Sequence, residues 1–69
     1  MGPQVEVKYV ILFAALRAGS LMLAECADGR LRLLHDEAPV DGACWEYDQV
    51  EKAAAEFRRR VAEEGEAKN

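Results

Sequence analysis

Asp28-Gly29 stands between two stretches rich in apolar residues, Ser20–Ala27 and Arg30–His35. Asp-Gly accepts positive φ at both positions, as a two-residue type I′ turn requires, so the pair predicts a tight antiparallel hairpin. In that register Cys26 faces Leu31, Ala24 faces Leu33 and Met22 faces His35 on one mainly apolar side, while Glu25 faces Arg32 on the other. A lone hairpin cannot bury its apolar side in water, so the flanking segments must supply the remaining layers.

The segment Val5–Leu16 is rich in Val, Ile, Tyr and Phe and begins with alternating Val5-Glu6-Val7-Lys8-Tyr9. This composition predicts a strand, with a helix ending near Gly19 as the alternative. Gly19 suits the left-handed position of a three-residue loop, and a two-residue Ala18-Gly19 loop is the other option. Whichever loop forms, Val10, Leu12 and Leu16 share one side and Ile11 and Phe13 the other, leaving both faces of the strand apolar. That two-sidedness marks Val10, Leu12 and Leu16 as candidate residues for an oligomer or partner interface.

From Asp48 to about Glu64 the spacing of Val50, Ala54, Phe57 and Val61 predicts an amphipathic helix that packs on the sheet. Asp48 is the expected N-cap, with Glu51 three residues later. Arg58, Arg59 and Arg60 lie within a helical turn of Glu56, Glu63 and Glu64, the pattern of a salt-bridged solvent face. His35 to Tyr47 reads as an acidic connection containing Pro39 and Asp41-Gly42, with room for a short fourth strand at Ala43–Trp45. The expected fold is α+β: an antiparallel meander of three or four strands with one C-terminal helix on one face. Residues 1–69 form a single small domain, with 65–69 a frayed tail.

Of the 69 residues, 51% are apolar, but 12 residues are Ala, so the core is thin. At this length a single core rarely supplies more than about 3 to 5 kcal/mol, which favours stabilisation by a partner or a second copy. The net charge is −4 and is unevenly placed. Asp36, Glu37, Asp41, Glu46, Asp48 and Glu51 fall in one stretch without Lys or Arg, which disfavours direct nucleic-acid binding and suits a basic protein partner. Trp45 lies inside this stretch, either closing one end of the core or serving as a partly exposed anchor. In size and charge the chain is similar in kind to phage-encoded inhibitors such as anti-CRISPR proteins and other nucleic-acid mimics. That likeness implies carboxylates occupying the basic groove of a nucleic-acid-handling protein. A homodimeric structural or regulatory accessory subunit, antitoxin-like, is the alternative.

Catalysis has little to draw on. His35 is the sole histidine, and a thiol-dependent enzyme would have to pair it with Cys44 across the loop. Metal-ligand spacings and glycine-rich phosphate loops are absent, so no metal or cofactor is expected. Two cysteines without a repeated spacing suggest reduced thiols and a cytoplasmic protein. The run YVILFAAL followed by LMLAEC resembles a lipoprotein signal, but Arg17 interrupts it and Glu25 precedes Cys26 where a small residue belongs. The apolar run of eight residues is too short for a membrane span of about 20.

Overall fold

A computed structural model describes residues 5–67 as a four-stranded antiparallel sheet with one helix across it. The strands are β1 (Val7–Leu16), β2 (Gly19–Cys26), β3 (Leu31–His35) and β4 (Ala38–Trp45), in the spatial order β1-β2-β3-β4. A 3-10 turn at Tyr47–Gln49 leads into α1 (Val50–Glu64). The α+β meander with a C-terminal helix is therefore the observed architecture.

The central hairpin forms one residue out of the expected register. Leu23 pairs with Leu33, Ala24 with Arg32 and Glu25 with Leu31. Gly29 N–H donates to the Cys26 carbonyl at 2.9 Å and Cys26 N–H to the Arg30 carbonyl at 2.9 Å, enclosing a three-residue loop, Ala27 to Gly29. Only Gly29, at φ 83°, takes a positive φ in it. Asp28 accepts the Arg30 N–H at 3.1 Å and an Arg32 Nη2 hydrogen at 2.8 Å, so its side chain holds the longer loop. The shift by one reverses the faces of β3 relative to β2. Leu21, Leu23, Leu31 and Leu33, all 0% exposed, now meet under the helix, and Glu25 no longer faces Arg32.

The type I′ geometry occurs instead between β3 and β4. His35 pairs with Ala38 across Asp36 and Glu37, whose φ values are 50° and 70°. The expected acidic connection is thus a two-residue turn followed by an eight-residue strand. Pro39 is tolerated because β4 is an edge strand, and Gly42 at φ 78° lies in the irregular stretch between the Leu34–Pro39 and Arg32–Cys44 pairs.

Between β1 and β2 the loop is Arg17-Ala18, one residue earlier than the two-residue option. Gly19 pairs with Leu16 and has the expected left-handed φ, 104°. The ladder is interrupted at Lys8 and Ile11, each an extra residue on β1. A bulge shifts the phase of alternation, so Val10 opposite Ala24 and Phe13 opposite Met22 share the face away from the helix. Leu12 opposite Leu23, Ala14 opposite Leu21, and Leu16 lie on the helix side. Val10, Leu12 and Leu16 therefore do not share a side.

On α1 the deepest residues are Ala53 and Phe57, with Ala54 and Val61 packed beside them, while Val50 is exposed. Ala53 lets the helix approach the leucines closely, and this moves the buried stripe away from Val50. The helix entrance is capped by Glu46 and Gln49, not by Asp48 and Glu51. Glu46 N–H donates to Gln49 Oε1 at 3.0 Å and Gln49 N–H to the Glu46 carbonyl at 2.9 Å. Beyond the helix, Gly65 N–H closes on the Val61 carbonyl at 2.8 Å. Arg17 N–H donates to the Gly65 carbonyl at 3.0 Å and Ala67 N–H to the Ala15 carbonyl at 2.9 Å. Residues 65–67 are thus tied to the edge of β1, where a frayed end was expected, and 68–69 lie outside the described residues.

Candidate interaction surface

Among the described residues, seven large apolar side chains are exposed: Val7, Tyr9, Val10, Ile11, Phe13, Tyr47 and Val50. Five of them belong to β1, and Tyr9, Val10 and Phe13 keep 59%, 53% and 59% of their surface accessible. The bulges distribute them over both faces of the strand. Away from the helix, Val7 and Val10 border a hollow of about 310 Å³ with Val5, Met22, Leu34 and Glu37. On the helix side, Tyr9 and Ile11 border a second hollow of about 340 Å³ with Glu25, Tyr47 and Val50. Lys8 Nζ lies 5.6 Å from the Tyr9 ring centroid, a cation–π distance.

The two edges of the sheet differ. On β4, Pro39 offers no N–H, Asp41 is a charge, and Gly42 lies in a bulge, features that discourage pairing with another strand. On β1 the tail covers the edge at Ala15 to Arg17, and among the described residues nothing pairs with that edge farther toward Val7.

Of the three interface residues expected from the sequence, Val10 belongs to this exposed strip, whereas Leu16 is buried and Leu12 packs against the core. Tyr9, Ile11, Tyr47 and Val50 were missed as a group. The alternation at Val7-Lys8-Tyr9 hinted at Tyr9, but the bulge at Ile11 has no signature in the sequence.

The six acidic residues do not form one surface. Asp36 and Glu37 occupy the turn at one end of β4, and Glu46, Asp48 and Glu51 follow its other end, about 25 Å away at 3.3 Å per residue. Asp41 projects from the bulge between them. Asp36 Oδ1 accepts the Ser20 N–H at 2.9 Å, and Glu46 pairs with Arg30 at 3.0 Å. Trp45 is half-buried, pairs with Leu31 and packs against the core, so its bulk serves the sheet–helix interface.

His35 and Cys44 are not brought together. Cys44 pairs with Arg32 on the face away from the helix, whereas His35 pairs with Leu21 and places Nε2 3.3 Å from Glu64 on α1. Cys26 is fully buried, and burial, reinforced by the nearby Asp28 charge, pushes its thiol pKa up, the opposite of what a nucleophile needs. Cys26 on β2 and Cys44 on β4 are separated by β3, about 10 Å at 4.8 Å per strand, beyond disulfide reach. Among the described residues, no three His, Cys, Asp or Glu side chains gather as a metal site would require. Arg59 is clasped by Glu56 and Glu63, and Arg60 by Glu56, as the salt-bridged helix face requires. No helix among the described residues is long and apolar enough to cross a membrane. No protein-family model, curated protein or solved structure matches this chain.

Proposed function

We propose that this chain is a non-catalytic protein-binding module that recognises its partner through β1. The observation that carries this reading is the concentration of exposed large apolar side chains on and beside one strand whose edge is open. A monomer rarely leaves a contiguous apolar patch larger than a few hundred Å² without a use for it. The separation of His35 from Cys44 and the raised pKa of Cys26 support a role without turnover. The free thiols suit a reducing, cytoplasmic setting.

A second reading is the acidic inhibitor that occupies a basic groove in place of nucleic acid. It draws on Glu37, Asp41, Asp48 and Glu51, the carboxylates of the acidic stretch that stay out of the ion pairs found among the described residues. Phosphate mimicry wants carboxylates in series, and this arrangement presents them in two groups around Asp41.

Comparative affinity capture separates the readings. The bait is compared with a Tyr9→Lys, Phe13→Lys variant and with a variant reversing the charge of Asp41, Asp48 and Glu51. Loss of a captured partner with the first variant alone supports recognition through β1. Loss with the second alone, accompanied by steep salt dependence, supports the inhibitor. A partner retained by both folded variants would refute both surfaces.

A further inference from the structure

We infer that the occupant of β1 is a second copy of this chain, paired antiparallel with it about a twofold axis at Val10, so that two sheets join into one of eight strands. The inference rests on β1 being the binding surface and adds the identity and register of the partner.

The free edge sets the register. Glu6 already continues the ladder, its carbonyl accepting the Ala27 N–H at 2.8 Å, and the tail occupies the edge from Ala15 onward. Among the described residues the open stretch therefore runs from residue 6 to residue 14, and its midpoint is Val10. An antiparallel twofold at that midpoint sets each residue opposite the one whose number completes a sum of 20. Val10 then faces its own counterpart. Tyr9 faces Ile11, and both border the helix-side hollow. Val7 faces Phe13, and these lie on the other side of the sheet, opposite Cys26 and Met22 of their own chain. Each exposed apolar residue of β1 thus meets an apolar residue on its own face, and the charged Glu6 and Lys8 meet Ala14 and Leu12 rather than like charges. This self-complementarity is what a closed twofold requires.

The exposed area is compatible with it. Tyr and Phe each carry roughly 150 to 250 Å² when fully buried, so the accessible parts of the five β1 side chains sum to about 450 Å². Two copies carry about 900 Å² of it at most, so the roughly 1,000 Å² that a specific interface should clear is met only with the paired backbone and the rims of the hollows included. Packing the two outer faces together would leave Tyr9, Ile11, Tyr47 and Val50 in water, whereas edge pairing brings the helix-side hollows of both copies to the seam. Of the acidic stretch, Asp41 stands on β4, three strands from that seam, while Glu37 borders the outer hollow beside Val7 and Val10.

Sedimentation equilibrium of the full chain should give twice 7.7 kDa. Directly opposed residues in an antiparallel pair lie about 4.5 to 5.5 Å apart, within disulfide range. In a Cys44→Ser background, Val10→Cys should therefore form an intermolecular disulfide on mild oxidation, and Asp41→Cys should not. Ile11→Lys should weaken the dimer by about a hundredfold while circular dichroism reports an intact fold. A monomeric mass at high micromolar concentration would overturn the inference, as would a dimer that Val10→Cys fails to trap. The comparative capture above judges recognition through β1 separately, because a monomer that loses a different partner on Tyr9→Lys, Phe13→Lys substitution still binds through this strand.

Discussion

The carboxylate of Asp36 lies where a side chain on Gly19 would have to go: a Cβ there would come within 2.6 Å of Oδ2 and 2.7 Å of Oδ1. The same carboxylate accepts the Ser20 N–H at 2.9 Å, and Asp36 N–H returns a bond to the Ser20 carbonyl at 3.1 Å. One side chain in the turn between β3 and β4 thus anchors the first residues of β2.

Gly19→Ala should therefore be far more damaging than Gly29→Ala. Both glycines have positive φ, 104° and 83°, but a Cβ on Gly29 meets nothing within 4 Å. The expected losses are about 1 kcal/mol at Gly29 and roughly 2 to 3 kcal/mol at Gly19. Urea denaturation measures both, and in an Asp36→Ala background the gap between them should narrow. An equal cost at the two positions would mean that Asp36 does not hold this place.

Glu37 sits at φ 70° in a turn that prefers Gly or Asn, and its side chain is exposed. Relief of left-handed strain at a non-glycine residue is worth about 1 kcal/mol. Glu37→Gly should accordingly raise the denaturation midpoint. A lower midpoint would show that Glu37 makes contacts that outweigh its backbone strain.

Phe57→Ala removes the largest helix side chain in the core and should cost about 3 to 5 kcal/mol, enough to unfold most of a domain this small. Val50→Ala, on the same helix but exposed, should change stability by no more than about 0.5 kcal/mol. Thermal melts of the two variants distinguish this helix orientation from the one with Val50 inward.

The two thiols should react at different rates. Cys44 is partly accessible, while Cys26 is buried with a raised pKa, so a thiol reagent at neutral pH should modify one cysteine quickly and the other only on unfolding. Two fast equivalents would contradict the burial of Cys26.

Hydrogen bonds from Arg59 and Arg60 lower the Glu56 carboxyl from an ordinary 4.5 to about 2. Its folded pKa lies below its unfolded one, so its contribution to stability is complete above about pH 4.5 and is lost as the pH falls through the folded value near 2. NMR titration should find the Glu56 side chain still ionised at pH 3. Because the group is still partly accessible to solvent, high salt should shrink the effect.

The strand character of β1, the span of α1 and the place of Phe57 in the core were legible from local composition and period, because these depend on which side chains favour extended or helical backbone and which must leave water. The left-handed φ at Gly19 was legible for the same local reason. The register of the central hairpin was not. Asp28-Gly29 permits a two-residue turn, yet four leucines reach a common core only when the loop takes in Ala27, and that choice belongs to the packed sheet. Nor could the sequence place type I′ geometry at Asp36-Glu37, where two unfavourable residues are held by the Ser20 contacts and by pairing on either side. The bulges at Lys8 and Ile11 decided which residues of β1 face the helix, so the candidate surface emerged only in three dimensions. A bulge is a compromise between the twists of neighbouring strands, and no single segment encodes it.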